Sequence, residues 1–213
     1  MKKLMYMVAG LLLSSVMLFA QSGYQKASDA QKKEIVNKMT KATGNMKSMK
    51  CDFTQVKELS FMDDKVTSEG SMLFKQPDKI RWEYTKPYKY IFSMDGTNVR
   101  MTSGDNTNKV PVKSSKMFNE ISKVLIGGVS GNGLVDSPDF ATQFNVGKED
   151  DQVVLTPQKK EVKDLFSSIQ LYVSKSDSRI HKVELIEKSG DKTIIQLKNI
   201  QLNASIQDDI FSR

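Results

Sequence analysis

Hydrophobic and polar residues alternate along most of the chain beyond residue 50, the pattern of strands with one buried face. Within residues 80–84, Ile80, Trp82 and Tyr84 fall on one side of an extended chain, and Arg81 and Glu83 fall on the other. Neighbouring runs place further aromatic and Met side chains on the same face: Met72, Phe74, Tyr90, Phe92 and Met94. The pattern therefore predicts three adjacent strands that pool rings and Met side chains on one face of a sheet.

Short polar segments separate these runs at the spacing of antiparallel hairpins. They are rich in the Asp, Gly, Pro and Ser residues that favour tight turns, at Asp63-Asp64, Pro77-Asp78, Asp95-Gly96, Gly104-Asp105, Glu149 to Asp151, Ser176 to Ser178 and Ser189 to Asp191. We count about eleven strand candidates, which favours a large curved antiparallel sheet or barrel over a sandwich. No repeat or linker divides the chain, so residues 21–213 are predicted to form a single, mainly β (α+β) domain.

One helix is predicted before the strands. Ser28 and Gln31 form a capping box, apolar residues recur at helical spacing between them and Thr43, and Gly44 supplies a stop.

A second helical pattern interrupts the strands. Its apolar positions are Met117, Phe118, Ile121, Val124 and Leu125, and the loop that follows contains Gly127, Gly128, Gly131 and Gly133. Two interpretations are open: an ordinary packed helix with a surface loop, or a lid over an apolar space with the glycines as its hinge.

The N-terminus has the organisation of a secretory signal peptide. Lys2 and Lys3 precede a mostly apolar run over 4–20, and Gln21 begins a polar segment, which predicts cleavage near Ala20. A retained membrane anchor is the alternative. Loss of the two lysines lowers the net charge from +7 to +5, because 30 basic residues then stand against 25 acidic ones. These charges are scattered, so we interpret them as a solvated surface and expect no nucleic-acid partner.

Candidate catalytic and metal-binding residues are few. His181 is the only His and Cys51 the only Cys, so the sequence offers neither a Ser-His-Asp motif nor a set of zinc ligands. A Cys51–His181 dyad stays open, although Cys51 fits a small buried hydrophobe better. The Gly-rich run lacks the Lys-Ser/Thr of a phosphate-binding loop. We therefore predict a binding protein that needs no cofactor or metal, rather than an enzyme.

Several short motifs resemble those of the periplasmic outer-membrane lipoprotein carriers, the LolA family. They are Phe53-Thr54-Gln55, Gly70, Lys75-Gln76-Pro77, Ile80-Arg81-Trp82-Glu83, Pro87 and Asp95-Gly96, with weaker similarity at Val153 to Pro157 and at Ile180-His181. The similarity covers roughly residues 28 to 200, and its specific part runs from Cys51 to Arg100. One position departs from the family pattern: Gln76 replaces the usual Arg, which the family associates with tethering the lid and with release.

The resemblance implies an unclosed, highly curved sheet, a half-barrel with an N-terminal helix and a helical lid. Its apolar concave face would hold the acyl chains of lipoproteins, received in the periplasm from an inner-membrane ATP-driven complex and passed to an unidentified outer-membrane acceptor. The carrier is expected to be a monomer. The predicted cavity residues are Phe53, Met72, Phe74, Ile80, Trp82, Tyr84, Tyr90, Phe92 and Met94.

Three other functions stay open at this point. A lipid- or lipoprotein-sensing regulator of the cell envelope would use the same fold to change a contact with a membrane protein. A lipid or glycan hydrolase would need the Cys51–His181 dyad. A structural envelope protein would carry no ligand.

Overall fold

The computed structural model describes residues 23–112 and 137–213. Its strands are β1 (Gln25–Lys26), β2 (Ser48–Glu58), β3 (Lys65–Lys75), β4 (Lys79–Lys86), β5 (Tyr90–Asp95), β6 (Asn98–Ser103), β7 (Asn106–Pro111), β8 (Phe140–Val146), β9 (Asp150–Pro157), β10 (Phe166–Ser174), β11 (Ile180–Glu187) and β12 (Lys192–Leu202). The helices are α1 (Asp29–Thr43), the short α2 (Lys160–Lys163) and a 3-10 helix (Asp208–Phe211).

All twelve strands form one sheet in the order β1-β8-β9-β10-β11-β12-β2-β3-β4-β5-β6-β7. Each neighbouring pair is antiparallel. Within the described residues, β1 and β7 form the two edges and do not pair with each other, so the sheet does not close into a barrel. The predicted unclosed antiparallel sheet with an N-terminal helix is confirmed, with one strand more than the eleven expected.

The turns follow the predicted chemistry, with one correction. Gly96 and Gly104 adopt positive φ angles of 88° and 57° in their hairpins, a conformation that costs glycine little. Asp150 and Asp151, predicted in a turn, instead begin β9, because the turn before them is made by residues 147–149.

Helix α1 begins at the predicted cap. The Ser28 hydroxyl accepts the backbone N–H of Gln31, and the Gln31 side chain accepts the backbone N–H of Ser28, which satisfies two free N–H groups of the first turn. Its buried face carries Ile35 and Met39. These side chains pack on one half of the sheet and complete what we call the first core: Ile35, Met39, Phe140, Phe144, Val153, Leu155, Val162, Ile169, Leu171 and Val173.

A separate second core lies on the other half of the same sheet. It consists of Met46, Met49, Cys51, Met72, Phe74, Ile80, Met94 and Val99. The sheet thus carries two apolar clusters, one on strands β8 to β10 and one on strands β2 to β6, with β11 and β12 running between them.

The C-terminal segment packs on the opposite face of β3 to β5. Lys75 Nζ lies 2.6 Å from Asp208 Oδ1, and Arg81 Nη1 donates to the backbone carbonyl of Ile210 at 3.1 Å. Lys75 and Arg81 alternate with Phe74 and Ile80 of the second core, so they project from the other side of the strands. Phe211 is fully buried there.

Some predictions fall on parts of the chain that the structure does not describe. These are the signal peptide (residues 1–20), the lid residues Met117, Phe118, Ile121, Val124 and Leu125, and the hinge glycines Gly127, Gly128, Gly131 and Gly133.

Gly70 is a site where the fold tolerates no side chain, and this can be tested. A Cβ atom at this position would lie 1.9 Å from the Glu83 carbonyl oxygen and 2.8 Å from the Phe53 ring. We expect Gly70→Ala to lower the free energy of unfolding in urea by about 1–3 kcal/mol, since the backbone must shift. Gly23→Ala, which would meet no atom within 4 Å, is the control. Equal stability of the two variants would contradict this packing.

The Asp95 carboxylate stabilises the Asp95-Gly96 turn by accepting hydrogen bonds. Burial acts to raise the pKa of Asp95, but hydrogen bonds from Arg100 Nη1 (2.6 Å) and from the backbone N–H groups of Asn98 and Thr97 outweigh it and lower the pKa from 3.8 to about 2. A pKa lowered by folding means that the ionised group contributes stability above pH 3.8. That contribution is lost as the pH falls toward about 2.

We therefore expect Asp95→Asn to flatten the acid side of the stability curve between about pH 4 and pH 2, by no more than about 1.4 kcal/mol per pH unit. Urea unfolding at several pH values measures this. Arg100→Gln should flatten the curve in the same direction, because it removes the charged donor. An acid slope identical in wild type and both variants would rule out this role of Asp95.

Candidate functional site

An apolar cavity of about 90 Å³ lies at the junction of the two cores. Its first-core side is formed by β10 and β11, and its second-core side by β2, β3, β4 and β12. The described side chains that line it are Thr43, Met46, Met49, Met72, Trp82, Ile169, Leu171, Arg179, Ile180, Val183, Leu185, Ile195, Leu197, Ile200 and Leu202. Among these, Arg179 alone carries a charge, and its guanidinium is paired with the Asp177 carboxylate.

Strand register explains why this wall is apolar. Leu171 pairs with Val183, and Val183 pairs with Ile195, so three apolar side chains form one row across β10, β11 and β12. Ile169 and Leu185 form a second row. Residues directly opposite each other in a sheet project from the same face, so the rows make a continuous hydrocarbon surface.

The motif residues around Phe53 form an aromatic cluster beside the cavity. The Phe53 ring lies 4.9 Å from the Trp82 ring and 5.1 Å from the Tyr84 ring, between centroids. Tyr84 donates its hydroxyl to Gln55 Oε1 at 2.9 Å, and Gly70 leaves the space that the Phe53 ring occupies. Residues that are far apart in the sequence motif are therefore in contact in the sheet.

The residues predicted to bind ligand fall into two groups: some line the cavity, and the others lie in or beside the second core. Met72 and Trp82 line the cavity. The others lie in or beside the second core, where Phe53, Phe74, Ile80 and Met94 are buried and Tyr84, Tyr90 and Phe92 are half-buried. Their role in binding stays a prediction. Gln76 is exposed, and its backbone N–H donates to the Lys47 carbonyl oxygen at 2.9 Å.

Sequence reasoning missed the wall made by β10, β11 and β12. Apolar residues alternate in each of these strands, most clearly at Ile169 and Leu171, and at Val183 and Leu185. That alternation was a usable signal. These strands lie outside residues 51–100, where the family motifs are concentrated. The alternation was therefore not interpreted as part of a site.

A polar pocket of about 360 Å³ adjoins the cavity and shares Arg179, Leu197 and Ile200 with it. In this pocket Asp150 Oδ2 lies 3.0 Å from His181 Nε2, and its Oδ1 accepts the Tyr24 hydroxyl. Burial and this hydrogen bond raise the pKa of Tyr24. The trio links the N-terminal segment to β9 and β11.

His181 and Cys51 do not form a catalytic pair. His181 forms a hydrogen bond with Asp150, whereas Cys51 is buried among the Met side chains of the second core. Burial, followed by the neighbouring Asp52 carboxylate, raises the pKa of the Cys51 thiol to about 12. A thiol with that pKa is almost entirely protonated at neutral pH, so it is a poor nucleophile.

Neither a metal site nor a membrane span is found within residues 23–112 and 137–213. These ranges contain no group of three or more His, Cys, Asp or Glu side chains arranged to hold a metal ion. None of their helices combines the length and the apolar character needed to cross a membrane.

Known proteins resemble this chain over most of its length. A family model described as outer membrane lipoprotein carrier protein LolA matches residues 44–213. An outer-membrane lipoprotein carrier protein of Pseudomonas putida (strain GB-1) is 23% identical over 204 residues, 95% of this chain and 91% of that protein. The corresponding protein of Cupriavidus pinatubonensis is 26% identical over 179 residues, 78% of this chain and 76% of that protein.

A solved structure shares the fold. The crystal structure of an uncharacterized conserved protein from Thermus thermophilus matches with a TM-score of 0.51, at 12% identity, over 86% of this chain and 93% of that chain. The family match, residues 44–213, includes every strand that lines the cavity. This protein therefore belongs to the LolA family of outer membrane lipoprotein carrier proteins.

Proposed function

We propose that this protein binds the acyl chains of lipoproteins in the apolar cavity and carries them across the periplasm from the inner to the outer membrane. The observation that supports this most directly is the apolar cavity between two cores, in a chain whose relatives are named as lipoprotein carriers. Acyl chains are the part of a lipoprotein that must be shielded from water. A surface of Leu, Ile, Val and Met side chains shields them through the hydrophobic effect.

The size of the cavity bears on how the carrier works. A cavity of about 90 Å³ is smaller than the roughly 150 Å³ that accommodates benzene, and we propose that the site widens to admit an acyl chain. Met46, Met49 and Met72 lie in its wall, and Met side chains adapt to irregular space because they are unbranched. We propose that these side chains move aside when the ligand enters.

The free energy needed to widen the site makes the bound acyl chains easier to release. Burial of an acyl chain contributes about 0.8 kcal/mol per methylene, so a site already open for two or three chains would hold them too tightly to release. The free energy needed to displace packed side chains offsets part of that gain. The predicted lid over residues 117–125, which lies outside the described residues, would add to the same offset.

The remaining parts of the proposal rest on the resemblance of the sequence to the family. The protein acts as a monomer in the periplasm after cleavage of its signal peptide near Ala20. It receives acylated lipoproteins from an inner-membrane ATP-driven complex and delivers them to an acceptor at the outer membrane. It acts by binding alone and catalyses no covalent step.

Filling the cavity tests the binding site. Leu197 lines the cavity, and Gln196, the preceding residue of β12, is exposed on the other face of the strand. We expect Leu197→Phe to weaken binding of a diacylated lipopeptide by about five- to 150-fold, because added bulk in a packed site costs about 1–3 kcal/mol. Gln196→Phe adds the same ring and should bind normally. Titration calorimetry measures both, and unchanged affinity in Leu197→Phe would exclude this cavity as the site.

The cargo can be identified by mass spectrometry of the protein isolated from the periplasm under native conditions. We expect diacylated or triacylated polypeptides to co-purify with wild type and to be depleted from Leu197→Phe. Recovery of phospholipid alone would contradict the lipoprotein assignment. A protein that carries nothing at all would argue for a structural role.

A further inference from the structure

Two buried side-chain polar atoms in the described part of the chain have no hydrogen-bond partner: Trp82 Nε1 and Ser93 Oγ. Ser93 pairs across β4 and β5 with Arg81, on the face covered by the C-terminal segment. Trp82, in contrast, lines the apolar cavity. A buried indole N–H usually has an acceptor, and leaving it without one costs free energy. The question is therefore which group accepts a hydrogen bond from Trp82 Nε1 when the cavity is occupied.

Among residues 23–112 and 137–213, no group accepts a hydrogen bond from Trp82 Nε1. Its cross-strand neighbours are Met72 and Phe92, and the Phe53 ring packs against it. Neither polar side chain of the described cavity wall is a partner of the indole: Arg179 has donors only and pairs with Asp177, and the Thr43 hydroxyl bonds to the Met39 carbonyl oxygen at 2.9 Å. A water molecule needs two to four polar partners, so this wall would hold one poorly.

The chemistry of the missing acceptor can be derived from the same surroundings. A carboxylate or a phosphate would bring a charge into a hydrocarbon wall, which is costly. A hydroxyl or an amide would bring a donor of its own, which would then need an acceptor in a wall whose described side chains are almost all hydrocarbon. An ester carbonyl is uncharged, accepts hydrogen bonds and donates none. It is also the group that joins an acyl chain to glycerol.

We propose that Trp82 Nε1 donates a hydrogen bond to an ester carbonyl of the bound acyl group, which makes Trp82 a specificity-determining residue for ester-linked chains. This inference rests on the proposed function, since it requires acyl chains in the cavity. The hydrogen bond fixes the ester next to β4, so the hydrocarbon extends along the apolar rows of β10, β11 and β12. The indole thus distinguishes an acyl ester from a plain hydrocarbon chain.

The test compares two synthetic lipopeptides that differ in one feature. Both carry the same peptide and the same two chains on glycerol, but one has ester linkages and the other has ether linkages, which lack the carbonyl. We expect wild type to bind the ester form about three- to tenfold more tightly, the range of one hydrogen bond formed in a buried site. Trp82→Phe, which keeps a ring and removes the N–H, should bind the two forms equally.

Tyr88→Phe is the control, because Tyr88 is an aromatic residue with 82% of its surface exposed. It should keep the ester preference of wild type. Titration calorimetry is the measurement, since it does not depend on the tryptophan that the variant removes.

A second measurement needs no variant. Trp82 is the only Trp of the chain, so the ¹⁵N-labelled wild-type protein gives a single indole N–H signal in its NMR spectrum. Addition of the ester lipopeptide should move this signal downfield, as expected for a new hydrogen bond, and addition of the ether form should not.

The outcomes separate the two proposals. Equal affinity of wild type for both lipopeptides, an ester preference that persists in Trp82→Phe, or the same indole shift with both forms would overturn the role of Trp82 and leave the acyl-binding cavity intact. Failure of wild type to bind either lipopeptide would overturn the proposed function, and the inference with it.

Discussion

Within residues 23–112 and 137–213, the sheet is much larger than the one long helix that packs on it, and the cavity depends on this difference in size. A twelve-stranded sheet has a long apolar face, and α1, with 15 residues, packs on the half that contains the first core. The second core begins again on β2 and β3, so β11 and β12 run between two packed regions. Uncovered apolar surface costs about 25 cal/mol per Å² in water. Where apolar side chains of these middle strands line the cavity, replacement of water by hydrocarbon is therefore favourable.

The side chains on the two sides of the cavity differ in conformational freedom. On the β10 and β11 side, branched residues such as Ile169 and Val183 are fixed by cross-strand pairing, and branched side chains have few rotamers. On the other side, Met46, Met49 and Met72 supply unbranched side chains that can repack around different occupants. A rigid wall facing an adaptable one suits the proposed binding and release of acyl chains of variable length.

Much of the fold was predictable because its signals are local. Alternation in Ile80 to Tyr84, the capping box of Ser28 and Gln31, and the Asp95-Gly96 turn each depend on a few adjacent residues, and the structure has the strand, the cap and the turn at these positions. The site was less predictable. Alternation places Phe74 and Trp82 on one face, but it does not say that Phe74 is fully buried in a core whereas Trp82 lines a cavity.

The sequence by itself determined that the chain forms an antiparallel sheet with an aromatic and Met-rich face, because strand periodicity and turn chemistry act over a few residues. Only the tertiary structure decided that β12, close to the C-terminus, pairs with β2. That pairing brings Leu197 and Ile195 beside β2, β3 and β4, the strands that contain the family motifs, and these side chains form part of the cavity. Pairing between distant segments depends on the packing of the whole sheet, which a local pattern of residues does not encode.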